Sequence, residues 1–286
     1  MMTQNKKGIF LALLAATLYA LCSPVTKKLL DVVPPMMMAS LLYLGTGIGM
    51  IVVRSVMRAS HKLTQPQLEK KDLRWFFAII PLGIFSTLML TFGINHTTAA
   101  NASLLNNFEI VATAIIALCL FKETISKKLW IAITLITIAS LILSFEDMSS
   151  LSFSLGSIFV LLSCVGWGFE NNCTRQISGK DPLQIVAIKG CCSGTVTMII
   201  ALVSGERMNN SVYFIAALLL GFVSFGLSNF FYIFAQRKLG AAKTSAYYAI
   251  SPFIGTLLSF IIFKQVPTIP FLIALVIMLA GAYLAA

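Results

Sequence analysis

Apolar runs, each about long enough to cross a bilayer, follow one another along the whole chain with only short polar breaks between them. A bilayer-spanning helix needs about 20 predominantly apolar residues at ~1.5 Å each. Inside hydrocarbon every backbone N–H and C=O must find its partner within the protein, which a helix provides within the segment itself. The pattern therefore predicts an all-α polytopic membrane protein. Spans are expected near residues 8–30, 34–53, 73–95, 98–120, 128–145, 153–177, 183–204, 211–236, 241–263 and 268–285, ten in all. Only 11% of the residues are charged, against about 25% in soluble domains, which excludes a soluble fold. The single long break, residues 54–74, leaves no room for an extramembrane domain.

The net charge of +11 does not form a nucleic-acid-binding patch, because the basic residues sit in the breaks between apolar runs. Their placement orients the chain. With a cytoplasmic N-terminus, the inner breaks receive 16 Lys and Arg and the outer breaks only Lys27, Lys28, Arg207 and Lys264. The positive-inside rule then predicts both termini in the cytoplasm, in a plasma (bacterial inner) membrane. The opening "MMTQNKKGIFLALLAATLYALC" imitates a secretory signal, but the many spans that follow favour a retained first helix. The six cysteines lie in or near apolar runs without a CxxC pair and read as small, reduced packing residues. His61 falls in the charged loop and His96 at a helix end, so neither a metal site nor another cofactor site is expected.

Sliding the chain over itself exposes a repeat. At a shift of 142, "FKE" at 121–123 falls on "FKQ" at 263–265, Ala99 and Ala100 on Ala241 and Ala242, and Ser103 on Ser245. At a shift of 148, Tyr19 falls on Trp167, Thr26 on Thr174 and Pro34 on Pro182. The halves, 1–147 and 148–286, each hold five predicted helices, and an odd number forces the copies to cross the membrane in opposite senses. Inverted repeats of this kind place a substrate site near the midplane, where the copies meet. Gly45 and Gly49, and Gly190 and Gly194, have the spacing that lets helix backbones approach closely in lipid.

The segments "AANASLLNNFEIVATAIIALCLFKE" and "LGAAKTSAYYAISPFIGTLLSFIIFKQ", within two five-helix halves, resemble the drug/metabolite transporter superfamily, EamA type. The small-residue start of the fourth and ninth helices, Pro252 and the closing acid Glu123 carry the resemblance. Two positions depart from it: Ile110 stands where the first copy would carry the proline, and Gln265 replaces the second closing acid. The resemblance implies transport, with exporters of amino acids and related metabolites among such families, but it does not carry a substrate.

Glu109 is the costliest residue in the chain. It lies eleven residues into the fourth predicted span, near the midplane, where an acid costs about 2.5–3.5 kcal/mol on insertion scales. It can bind a substrate ammonium, accept a driving proton, or both; the alternative is a structural carboxylate bonded to a neighbouring helix. Asn106 is expected to share its face. Glu170 and Lys189 lie about seven residues from the turn that joins their helices, at the depth where antiparallel neighbours can pair. That pair reads as structural or gating, with substrate contact or snorkelling of Lys189 as alternatives. Tyr19 and Trp167 either line a cavity or pack in the core. Asn171, Tyr247 and Ser251 complete the candidate set, with Asn172, Asn229, Ser86 and Tyr248 as further polar groups.

Polar residues from several helices at one depth predict a secondary transporter of a small polar metabolite, an exporter with protons as the candidate coupling ion. A structural or receptor-like membrane protein would leave Glu109 without a reason. A membrane-embedded enzyme is the weakest reading, since no Ser–His pairing, GxGD or HExxH occurs, and no GxxxxGK[ST] loop suggests ATP drive.

Overall fold

The computed structural model describes residues 4–59, 66–122, 124–147, 152–239, 244 and 247–285. Ser60, His61, Glu123, Ala241, Ala242 and Ser245 lie outside the described residues.

Seven helical stretches are long and apolar enough to cross a membrane: Lys6–Leu29, Pro35–Ala59, Lys70–His96, Ala99–Phe121, Lys127–Ser144, Pro182–Val203 and Ser211–Ala235. The chain is thus an integral membrane protein. Its helices are α1 (Gln4–Ala20), α2 (Cys22–Leu29), α3 (Pro35–Ala59), α4 (Phe76–His96), α5 (Ala99–Leu105), α6 (Phe108–Phe121) and α7 (Lys127–Ser144). The second half supplies α8 (Leu155–Arg175), α9 (Pro182–Val203), α10 (Ser211–Leu220), α11 (Ser228–Leu239), α12 (Ser251–Phe263) and α13 (Ile269–Ala285). A minimal antiparallel ribbon, Phe145–Asp147 with Ser152–Phe153, joins α7 to α8.

Several spans expected to be continuous helices are interrupted, among them the first, the fourth and the eighth. Pro24 has no N–H to give Ala20 O, and the first span breaks at Leu21 between α1 and α2. In the fourth span the Asn106–Asn107 pair tightens the ladder: Asn107 N–H bonds Leu104 O at 3.2 Å, and its side-chain amide donates to the same carbonyl at 3.3 Å. Asn side chains compete with the helical backbone in this way. The eighth span contains a π-helical turn, Gly221–Leu227, between α10 and α11.

The helices pack pairwise across the two halves: α1 on α11, α3 on α9, α4 on α8, α5 on α12 and α7 on α13. Several of these contacts bring backbone against backbone. A Cβ on Gly190 would lie 2.4 Å from Gly47 N, and one on Gly221 would lie 2.1 Å from Leu42 O. Dispersion and close approach replace the hydrophobic effect as the cement in lipid. The exterior is correspondingly apolar, with Phe77 and Tyr283 fully presented, while the interior holds Ser40, Ser86, Thr87, Thr91 and Thr197. Interior hydroxyls bond carbonyls, as Ser40 does to Gly194 O and Thr46 to Gly221 O, both at 2.9 Å.

Both ends of the bundle are tied by charge. At one end Lys27 Nζ donates to Ile94 O and Asn95 O at 2.8 and 2.9 Å, and Glu206 accepts from the N–H groups of Met36 and Met37. A cation at a helix C-terminus and an anion at an N-terminus both complement the helix dipole. At the other end the segment after residue 65 is bound to the α8–α9 turn. Leu68 N–H donates to Gln184 Oε1 at 2.9 Å, Arg54 meets Asp181 at 3.3 Å, and Lys180 pairs with Glu69 and Asp72.

Candidate functional site

The interruption at Asn106–Asn107 places Glu109 in the first turn of α6, just beyond the tightened segment. Its carboxylate accepts a hydrogen bond from Asn171 Nδ2 of α8 at 2.6 Å. Asn171 is exposed and Glu109 partly so, whereas the α5 side of the break is closed. Asn106, now the C-cap of α5, is buried, and its Oδ1 has no hydrogen-bond partner. A face shared with Glu109 along one unbroken helix is therefore not what relates these two residues; the tightened turn lies between them.

Tyr19 and Trp167 meet through a third ring. Phe225, from the π-helical turn, lies 5.9 Å from Tyr19, 6.2 Å from Trp167 and 6.1 Å from Tyr43, centroid to centroid. Trp167 and Phe225 are buried, so this cluster is packed. Tyr19 continues it to Tyr248 at 5.8 Å, whose hydroxyl lies 3.2 Å from Ser228 Oγ. Tyr247 is one residue away but turned outward, 36% exposed. Of the two adjacent tyrosines, Tyr248 is the one beside Tyr19. Ser251 opens α12 and is buried, its Oγ without a hydrogen-bond partner.

Glu170 and Lys189 are brought together, with Lys189 Nζ 2.5 Å from Glu170 Oε1. Tyr43 and Gly83, neither of which carries a signal readable from the sequence alone, complete their surroundings. Lys189 Nζ stands 5.7 Å from the centre of the Tyr43 ring, within reach of a cation–π contact. A Cβ on Gly83 would lie 2.7 Å from the Tyr43 hydroxyl and 3.2 Å from Glu170 Oε2, so only glycine fits there without displacement. Glu170 Oε2 and the Tyr43 hydroxyl are buried without a hydrogen-bond partner. No group of three or more His, Cys, Asp or Glu able to hold a metal occurs among the described residues.

Comparison with known proteins bears on the chain as a whole. Residues 6–145 and 154–286 each match the EamA-like transporter family. An uncharacterized transporter of Methanothermobacter thermautotrophicus is 25% identical over 292 residues, covering 96% of this chain and 85% of the relative. The uncharacterized inner membrane transporter YedA of Escherichia coli K12 is 24% identical over 235 residues, covering 79% and 72%. A solved crystal structure superposes with a TM-score of 0.69 at 16% identity, over 98% of this chain and 96% of the other, a likeness of fold.

Proposed function

The chain belongs to the EamA-like transporter family, and on that footing we propose that it is a secondary transporter exporting a small polar metabolite, such as an amino acid or amine. In this reading the seven long apolar stretches, α8, α12 and α13 make ten crossings in two inverted five-helix halves. The packing supports it, because inversion converts the α1–α11 contact into the α8–α4 contact and returns α3–α9, α5–α12 and α7–α13 to themselves. Lys122 and Lys264 support it independently. Separated by the repeat shift of 142, both end their helices in the left-handed region, at φ 55° and 50°. The asymmetry of Lys and Arg supports cytoplasmic termini, and the inner-membrane name of one relative supports that location.

One observation carries the functional reading: an acid in the midst of apolar spans, beside a tightened turn, partly exposed and held by one asparagine. Broken helices at the meeting of inverted repeats supply substrate and ion sites in transporters. Glu109 takes the substrate's ammonium or the coupling proton; Asn106, Asn171 and Ser251 offer hydrogen bonds, and Tyr19, with Trp167 behind Phe225, shapes the wall. Tyr247 would meet substrate only on its way in. Rocking of one half against the other exposes the site alternately, while the Glu170–Lys189 pair keeps two charges mutually neutralised within the moving bundle. The test is a metabolite screen for thermal stabilisation of the purified protein, followed by counterflow of each hit in proteoliposomes. A hit that exchanges supports the reading; binders that never exchange contradict it.

A further inference from the structure

The segment that leads into α4 turns its acids inward and its cations outward. Lys70–Trp75 form a 3-10 helix, in which residues three apart share a face. One face, Asp72 with Trp75, looks into the protein: Asp72 is buried, and Trp75 packs with Leu68 against Phe76, Ile79, Ile177 and Ile185. The acids are engaged within the fold. Asp72 Oδ2 accepts from Glu69 N–H at 2.8 Å, and Lys180 pairs with both carboxylates. The other two faces carry Lys70 with Leu73 and Lys71 with Arg74, and Phe77 follows in the first turn of α4. All five side chains are exposed, Leu73 by 47% and Phe77 by 84%.

Lys71 bonds Glu69 at 2.8 Å, whereas Lys70 and Arg74 have no carboxylate partner among the described residues. Arg74 lies instead over the Trp75 ring, 5.5 Å from its centre, which holds its planar fork in place. The helix itself is anchored: Asp181 N–H donates to Pro66 O at 2.7 Å and Leu68 N–H to Gln184 Oε1 at 2.9 Å. Four cations here, Lys70, Lys71, Arg74 and Lys180, face two acids, Glu69 and Asp72, so a positive surplus remains. A rigid surface that interleaves cations with large apolar side chains suits neither water nor hydrocarbon alone. It suits the boundary between them, where apolar groups enter the acyl region and cations meet phosphates.

We propose that Lys70, Leu73, Arg74 and Phe77 form a binding site for an anionic phospholipid, with its phosphate at Lys70 and Arg74 and its acyl chains along Leu73 and Phe77. The guanidinium matches phosphate geometry. The apolar pair commits the site to a lipid, because a free phosphate has nothing to lay on Leu73 and Phe77. The count of basic residues puts this end of the bundle in the cytoplasm, and cytoplasmic leaflets carry anionic lipid. The inward face of the same helix is tied to the α8–α9 turn through Lys180, so a headgroup held on the outward face reinforces the junction of the two halves.

The experiment is thermal unfolding of the purified protein in one detergent at fixed ionic strength, doped with increasing phosphatidylglycerol or phosphatidylcholine. A saturable rise in Tm is expected with phosphatidylglycerol, and none with phosphatidylcholine or with water-soluble glycerol 3-phosphate. Lys70→Gln with Arg74→Gln should raise the half-saturating lipid fraction about tenfold or more, the combined attraction of two basic residues for an anionic surface. Lys127→Gln with Lys128→Gln removes the same charge elsewhere at this end of the bundle and should leave that fraction unchanged. All four lysine and arginine side chains are exposed, so both variants should fold. Equal responses to the two lipids, equal weakening by the two charge pairs, or an equal rise with glycerol 3-phosphate would overturn the site. The readout involves no transport, so this site and the export reading stand or fall separately.

Discussion

Lys189 Nζ sits 2.5 Å from Glu170 Oε1, and the two side chains are only 15% and 3% exposed. Breaking a buried pair by removing one partner costs about 3–5 kcal/mol, because the survivor is stranded in a poor solvent for charge. Lys189→Met should therefore lower thermal stability more than the double change Glu170→Gln with Lys189→Met. A double-mutant cycle on Tm checks this, and strictly additive effects would remove the coupling.

Gly190 and Gly83 both lack room for a Cβ, but against different neighbours. At Gly190 the obstacle is the Gly47 backbone at 2.4 Å; at Gly83 it is the end of the Tyr43 side chain at 2.7 Å. Backbone in a helix contact cannot step aside, whereas a ring can tilt. Gly190→Ala should cost about 2–3 kcal/mol, in the upper range for overpacking, and Gly83→Ala less. Unfolding of the two variants in matched detergent decides the order.

Lys180 and Lys71 hold the Glu69 carboxyl down at about 2, Lys180 foremost through its hydrogen bond. A depressed carboxylate contributes fully above its ordinary range, and its contribution is lost as pH falls through the depressed value. The tie between the segment at 66–72 and the α8–α9 turn should accordingly persist from neutral pH to about pH 4 and loosen near pH 2. Lys180→Ala should loosen it at every pH with little change in overall stability, because exposed ion pairs contribute little. Susceptibility to a protease at neutral pH, and to pepsin in acid, reads both effects.

Sixteen basic residues on one side against four on the other predict that the 54–74 loop is cytoplasmic. On a cysteine-free background, Ser60→Cys should resist a membrane-impermeant thiol reagent in intact cells and react after lysis. Strong labelling of intact cells would reverse the orientation.

Seven of the expected spans were legible because each is an apolar run of the right length, and the acid stood out because hydrocarbon makes it costly. The interruptions were harder to see. Asn106 and Asn107 sit inside a run that stays apolar on average, and what bends the ladder there is the side-chain bond from Asn107 to Leu104 O. Pro24 was equally visible, but its effect is to free one carbonyl, Ala20 O, and only the fold brings Gly255 of α12 against it. Adjacent tyrosines differ by about 100° around a helix, so Tyr248 could not be preferred to Tyr247 before the helix was oriented. Phe225 carries no polar signal at all, yet Tyr19, Tyr43 and Trp167 gather around it.

The central claim is that Glu109 meets the substrate or the coupling proton, and Glu109→Gln tests it most directly. The change keeps the size of the side chain and its capacity to accept from Asn171 while removing charge and titration. Insertion and folding should survive, since removing a costly charge does not harm a helix in lipid. Counterflow or proton-driven uptake of an identified substrate should be measured in proteoliposomes from about pH 5.5 to 8, with Tm measured alongside. The account predicts a loss of transport of about tenfold or more at unchanged Tm, with any remaining activity flat across pH. Transport by Glu109→Gln equal to the parent at every pH and at equal stability would contradict it, leaving Glu109 a structural partner of Asn171.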